Sequence, residues 1–110
     1  MKFFAILPFI ASLAASQDIQ CSHQGGVGST VSRYSIVINP NPFPDTPAIC
    51  GGLWDNMNKF AGCAAPSATN CRDEFGRFSW DFDASIGCNA GMVESIWWEA
   101  TKNEGGAISC

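Results

Sequence analysis

The sequence predicts an α+β fold: a disulfide-stapled two-layer α/β sandwich, with two helices on one face of a four-stranded, mostly antiparallel sheet. Two segments with the apolar spacing of a helix alternate with segments of strand character. The order strand, helix, hairpin, helix, strand fits the ferredoxin-like split βαβ arrangement. A chain of 110 residues has a small hydrophobic core, and disulfides between its six cysteines can stabilise it.

The first strand and the start of the first helix follow from local composition. Arg33–Ile38 (RYSIVI) is rich in β-branched and aromatic residues, which favour a strand. Residues 39–47 contain four prolines and can therefore form neither a helix nor a central strand. This stretch ends in Thr46 and Pro47, which predict a helix with Thr46 as its N-cap.

The first helix is predicted over Pro47–Ala61, and Gly62 is placed to end it. Its apolar residues recur on one face: Ile49, Leu53, Met57 and Phe60. Gly51 and Gly52 lie inside this helix, where either they are merely tolerated or, as we favour, they allow close approach of another backbone or of a disulfide near Cys50.

A hairpin is predicted between Cys71 and Asp83, with its turn at Gly76. Its second strand alternates aromatic and polar residues, the pattern of a strand with one buried face; the aromatic residues are Phe78, Trp80 and Phe82.

The last predicted helix begins after Asn89, an N-cap residue, and continues to about Asn103. Two glycines then end it, and Ala107–Cys110 is long enough to form a short closing strand.

Residues 1–16 (MKFFAILPFIASLAAS) have the pattern of a secretory signal peptide: Lys2, a short apolar run and small residues before the cut. We expect cleavage near Ser16, which leaves 110 − 16 = 94 residues and changes the formal charge from −4 to −5. The mature chain is then an N-terminal arm (17–31) and one α/β-sandwich domain (32–110). Localisation is expected to be secreted and extracellular.

The six cysteines predict three disulfides, because an even number in a short secreted chain forms such a framework. They are Cys21, Cys50, Cys63, Cys71, Cys88 and Cys110. No CxxC pair occurs and His23 is the only histidine, so we expect no metal site and no cofactor. Spacing leaves the connectivity open, with a local Cys63–Cys71 bridge as the first guess.

The charge distribution disfavours two classes of partner. The chain is acidic and has no basic stripe, so nucleic acid and anionic membranes are not expected partners. The oligomeric state stays open.

Three segments together resemble small secreted cysteine-rich fungal effectors of the killer-toxin-like α/β-sandwich family: CGGLWDNMNKFAGC (50–63), GRFSWDF (76–82) and CNAGMVESIWWEATKNEGGAISC (88–110). The resemblance covers roughly residues 34–110. It implies a virulence role in the host apoplast or among competitors, no catalytic site, and action by binding a host or co-secreted protein. The killer toxin has more cysteines than this chain.

Adjacent tryptophans on the second helix predict a partner-binding residue. The apolar arc of Met92, Val93, Ile96 and Trp97 places Trp98 about 170° from its centre. Trp97 should therefore be buried and Trp98 exposed as an anchor for a partner, unless the arm or a disulfide loop covers it. Trp54 is expected to be half-buried and is the second candidate.

Enzymatic activity is not expected. His23 lies in the arm without a positioned partner, and Asp81 and Asp83 share the outer face of one strand, where such acids are usually solvated. Two alternatives to the effector stay open: an antifungal killer-type toxin, and a carbohydrate-binding module that stacks sugars on Trp98 or Trp54.

Overall fold

The computed structural model describes residues 17–25 and 30–110, and the predicted signal peptide lies outside these ranges. It contains four strands: β1 (Asp18–Gln24), β2 (Val31–Asn39), β3 (Ser67–Glu74) and β4 (Arg77–Ser85). Two helices, α1 (Thr46–Met57) and α2 (Ala90–Thr101), and a short 3-10 turn (Ala61–Cys63) complete it. The predicted α+β sandwich with four strands and two helices is confirmed.

The strands form one sheet in the order β1-β2-β4-β3, and every neighbouring pair is antiparallel. Because β4 lies between β2 and β3, the unit β2-α1-β3 is the predicted split βαβ. The hairpin β3–β4 turns at Phe75 and Gly76, as predicted, and both residues have positive φ angles of 54° and 88°. These angles are typical of the two-residue turn that matches the twist of a hairpin.

One edge of the sheet differs from the prediction. Ala107–Cys110 is not a strand, and the fourth strand comes from residues 18–24 of the predicted arm. β1 pairs with β2 along its whole length, from Asp18 opposite Asn39 to Gln24 opposite Arg33. The arm was hard to recognise as a strand because its outer residues are polar, as an edge strand with one solvated face allows.

The core lies between the inner face of the sheet and the two helices. The sheet contributes the predicted aromatic stripe and the alternate residues of β2: Tyr34, Ile36, Ile38, Phe78, Trp80 and Phe82, all fully buried. The helices contribute Leu53, Met57, Val93, Ile96 and Trp97, also fully buried. Ile49 and Phe60 pack against this core as partly buried residues, so the predicted apolar face of α1 is confirmed.

The ends of α1 differ from the prediction. Asp45, not Thr46, is the N-cap: its carboxylate accepts a hydrogen bond from Ala48 N at 3.2 Å. Thr46 is buried, and its hydroxyl instead accepts from Asn41 Nδ2. The helix ends at Met57, before Gly62, which is needed for another reason: a side chain there would collide with the Gly87 carbonyl.

Helix α2 begins as predicted, with the Asn89 side chain accepting from Met92 N at 2.9 Å. It ends at Thr101, earlier than predicted, because Lys102 and Asn103 both adopt left-handed backbone angles. Their φ values of 53° and 58° are incompatible with another helical turn.

All six cysteines form disulfides, as predicted. The bridges are Cys21–Cys110, Cys50–Cys71 and Cys63–Cys88, so the guess of a local Cys63–Cys71 bridge is wrong. Cys71 points to the inner face of β3 and meets α1, whereas Cys63 in the 3-10 turn faces the segment that precedes α2. Three disulfides indicate an oxidising environment.

Candidate functional site

Helix α2 separates its two tryptophans as the helical spacing predicts. Trp97 is fully buried and its Nε1 donates to the Gly106 carbonyl at 2.8 Å. Trp98 is 46% exposed, and its ring contacts the Lys102 ammonium, 4.0 Å from the ring centroid. The exposed Trp98 therefore has a neighbouring positive charge from the residue that follows its helix.

Trp54 is half-buried on α1, as predicted, and its ring makes an edge-to-face contact with Trp80 at 6.2 Å between centroids. It borders a groove of about 530 Å³ between α1 and β3. The other lining residues are Thr46, Pro47, Cys50, Gly51, Cys71, Arg72 and Asp73. Trp98 does not line this groove, so the two candidate tryptophans belong to different surfaces.

One exposed aromatic residue was missed by the sequence reasoning. Phe75 at the tip of the β3–β4 hairpin is fully exposed, at 101% of its reference area, and has a left-handed φ of 54°. A bulky residue in this conformation is uncommon, since asparagine and glycine are the usual choices. The signal in the sequence was the dipeptide Phe75-Gly76, because a two-residue turn leaves its first side chain outside the sheet.

The residues considered for catalysis are engaged in structural contacts. Asp81 accepts hydrogen bonds from Ser35 and Asn70, and Asp83 pairs with Arg33 at 2.9 Å. These acids are half-buried on the open face of the sheet, so the expectation of two simply solvated carboxylates is wrong.

His23 lies in β1 and not in a loose arm. Its ring stacks on Tyr34, with 4.2 Å between centroids. The Tyr34 hydroxyl in turn donates to the Cys88 carbonyl, and burial raises the pKa of Tyr34.

A hydrogen-bond network joins the proline-rich segment to the hairpin beside the groove. Asn41 Nδ2 donates to Asp73 at 2.8 Å and to Thr46 at 2.9 Å. The backbone N–H of Asn41 donates to the Gly76 carbonyl. The Asn41 and Gly76 hydrogen bonds lower the pKa of Asp73, and the Arg72 hydrogen bond lowers the pKa of Glu74. Both carboxylates are therefore held in the charged form.

Within residues 17–25 and 30–110, no group of three potential metal ligands comes together. In the same part of the chain, no helix is both long and apolar enough to cross a membrane. No protein-family model, curated protein or solved structure matches this chain.

Proposed function

We propose that this chain is a secreted, non-enzymatic fungal effector that acts outside the producing cell by binding a host protein or a co-secreted protein. The observation that carries this proposal is Trp98. An exposed tryptophan that the core does not require costs solubility, and tryptophan is among the residues enriched at the centres of protein interfaces.

Three further features support the proposal. The three disulfides suit an extracellular protein, and residues 1–16 have the signal-peptide pattern that would direct secretion. The polar groups considered for catalysis are instead held in pairs and stacks, as Asp83 is with Arg33 and His23 with Tyr34.

The test is capture with the mature oxidised protein from host and fungal extracellular fluids, identification of the captured protein, and affinity measurement with that protein purified. Trp98→Ala should weaken binding by about 2 kcal/mol or more, roughly thirtyfold, since a hot-spot tryptophan is lost. Its melting temperature should stay near that of the wild type, because the side chain lies outside the core.

Two control variants make the result specific. Glu99→Ala removes an exposed neighbour on α2 and should leave the affinity unchanged. Trp97→Ala should instead destabilise the fold by about 3–5 kcal/mol, because it empties a fully buried site.

Undiminished binding by Trp98→Ala would remove Trp98 from the interface. Retention of the wild type on chitin or glucan, or inhibition of fungal growth, would favour the carbohydrate-binding or toxin alternative.

A further inference from the structure

Strand β3 has an edge with which no strand pairs in residues 17–25 and 30–110. The two-residue turn closes between Glu74 and Arg77, so these residues exchange backbone hydrogen bonds across the hairpin. Because hydrogen-bonded positions alternate along an antiparallel pair, Arg72 also bonds toward β4. Cys71 and Asp73 therefore direct their backbone N–H and C=O groups away from β4, toward the open edge.

The groove beside Trp54 lies along this same edge. Cys71 and Asp73 form part of one wall, and α1 provides the other. The Cys50–Cys71 disulfide joins the two walls, so a covalent link limits how far they can separate. Its volume of about 530 Å³ is sufficient for a large apolar side chain with part of its backbone.

Among the charged residues at the groove, Asp73 carries a negative charge that no cation in residues 17–25 and 30–110 neutralises, whereas the nearby arginines are paired. Arg72 is paired with Glu74 at 2.8 Å, and Arg77 also approaches Glu74 at 3.5 Å. Asp73 has no cationic partner in the described part of the chain, since its two oxygens accept from the neutral donors Asn41 and Gly76. A positive group on a ligand would therefore complement Asp73.

We propose that this edge and groove bind an extended peptide segment of a partner protein, which adds to the sheet as a fifth strand next to β3. Backbone hydrogen bonds form at Cys71 and Asp73, an apolar side chain enters the groove against Trp54, and a lysine or arginine meets Asp73. Because every second side chain of a strand points to the same face, the apolar and basic residues are two positions apart. This inference rests on the proposed protein-binding function and adds a second surface, separate from Trp98, with a defined form of ligand.

The probe is a displayed library of random heptapeptides, selected on the immobilised oxidised protein and then synthesised as labelled linear peptides. We expect the selected peptides to share an apolar residue and a lysine or arginine two positions apart. Methylation of alternate backbone nitrogens of the peptide should weaken binding at least tenfold, whereas methylation of the intervening nitrogens should not. Fluorescence polarisation measures each affinity.

A matched pair of variants tests the groove itself. A Cβ atom at Gly51 would meet no atom within 4 Å, so Gly51→Phe adds a bulky side chain at the groove wall without a clash at its first carbon. It should reduce peptide affinity at least tenfold. Ala48→Phe places the same side chain on an exposed site of α1 that does not line the groove, and it should leave the affinity unchanged.

Several outcomes would overturn the inference. They are failure to select any peptide, equal binding by Gly51→Phe and wild type, or an N-methyl scan with no alternation. If selected peptides lose affinity with Trp98→Ala but not with Gly51→Phe, the groove is wrong while the protein-binding function stands. Displacement of the peptide by a chitin oligosaccharide that Gly51→Phe no longer binds would assign the groove to sugars.

Discussion

At the scale of single residues, Phe75 combines an unfavourable backbone conformation with an exposed apolar side chain. Its side chain is fully exposed and its backbone lies in the left-handed region, at φ 54°. A non-glycine residue there costs about 1–2 kcal/mol, whereas asparagine tolerates the conformation well. Since nothing in the described contacts offsets this cost, the phenylalanine weakens the hairpin.

Replacement of Phe75 by asparagine should therefore stabilise the protein. We expect Phe75→Asn to gain about 1 kcal/mol, which raises Tm by about 4–8 °C in a domain of this size. Calorimetry of the oxidised protein measures the shift. Ile86→Asn is the matched control, because Ile86 is also an exposed apolar residue but has no left-handed backbone, and its Tm should not rise. A lower Tm for Phe75→Asn would mean that the phenyl ring packs against the fold.

At the scale of elements, the contact between the β3–β4 hairpin and the proline-rich segment depends on one carboxylate, that of Asp73. Folding lowers the pKa of Asp73, so the charged form stabilises the native state above the ordinary pKa of an aspartate, near 4. That contribution falls as the pH drops through the lowered native pKa, when the carboxylate becomes protonated in both states. Glu74 has a lowered pKa as well and acts in the same direction.

We therefore expect the penalty of Asp73→Asn to depend on pH. The variant should melt below the wild type at pH 7, because Asn41 and Gly76 donate to different oxygens of the carboxylate, and an amide replaces one of these oxygens with an NH2 group that cannot accept. The difference in Tm should shrink as the pH falls below about 4. Asp55→Asn, at an exposed acid that makes no side-chain hydrogen bond or ion pair with the described residues, should change Tm little across the series. A pH-independent difference for Asp73→Asn would show that charge is not what holds the network.

At the scale of the whole molecule, the periodicity of the sequence predicted the elements that face the core. It did not predict the edge strand β1 or the groove beside Trp54. The aromatic stripe of β4 and the apolar arc of α2 identify buried faces directly, because burial imposes a period on the sequence. β1 is an edge strand with a polar outer face, and its sequence therefore shows no clear apolar period. Its place in the sheet depends on pairing with residues far away in the chain. The groove beside Trp54 also depends on such pairing, since Cys50–Cys71 joins elements that spacing alone does not bring together.

A disulfide ties Cys110 to the β1 edge of the sheet. The Cys21–Cys110 bridge has a sequence separation of 89, the longest of the three. In the ferredoxin-like arrangement a C-terminal strand would lie next to β2, but here β1 occupies that position and the C-terminal residues are tied beside it. A long closed loop restricts the unfolded chain most, by about 4–5 kcal/mol in the chain-entropy description.

This arrangement predicts the products of trypsin digestion of the unreduced mature protein. Cleavage after Arg33, Lys59, Arg72, Arg77 and Lys102 separates the cysteines among five peptides: 17–33, 34–59, 60–72, 78–102 and 103–110. The three bridges require two linked groups, one joining 17–33 to 103–110, the other joining 34–59, 60–72 and 78–102. Mass spectrometry should find both groups, each disulfide lowering the summed mass by two hydrogens, and reduction should release all five peptides. Peptide 60–72 recovered alone with an internal Cys63–Cys71 bridge would contradict the position of β3 against α1, and with it the groove.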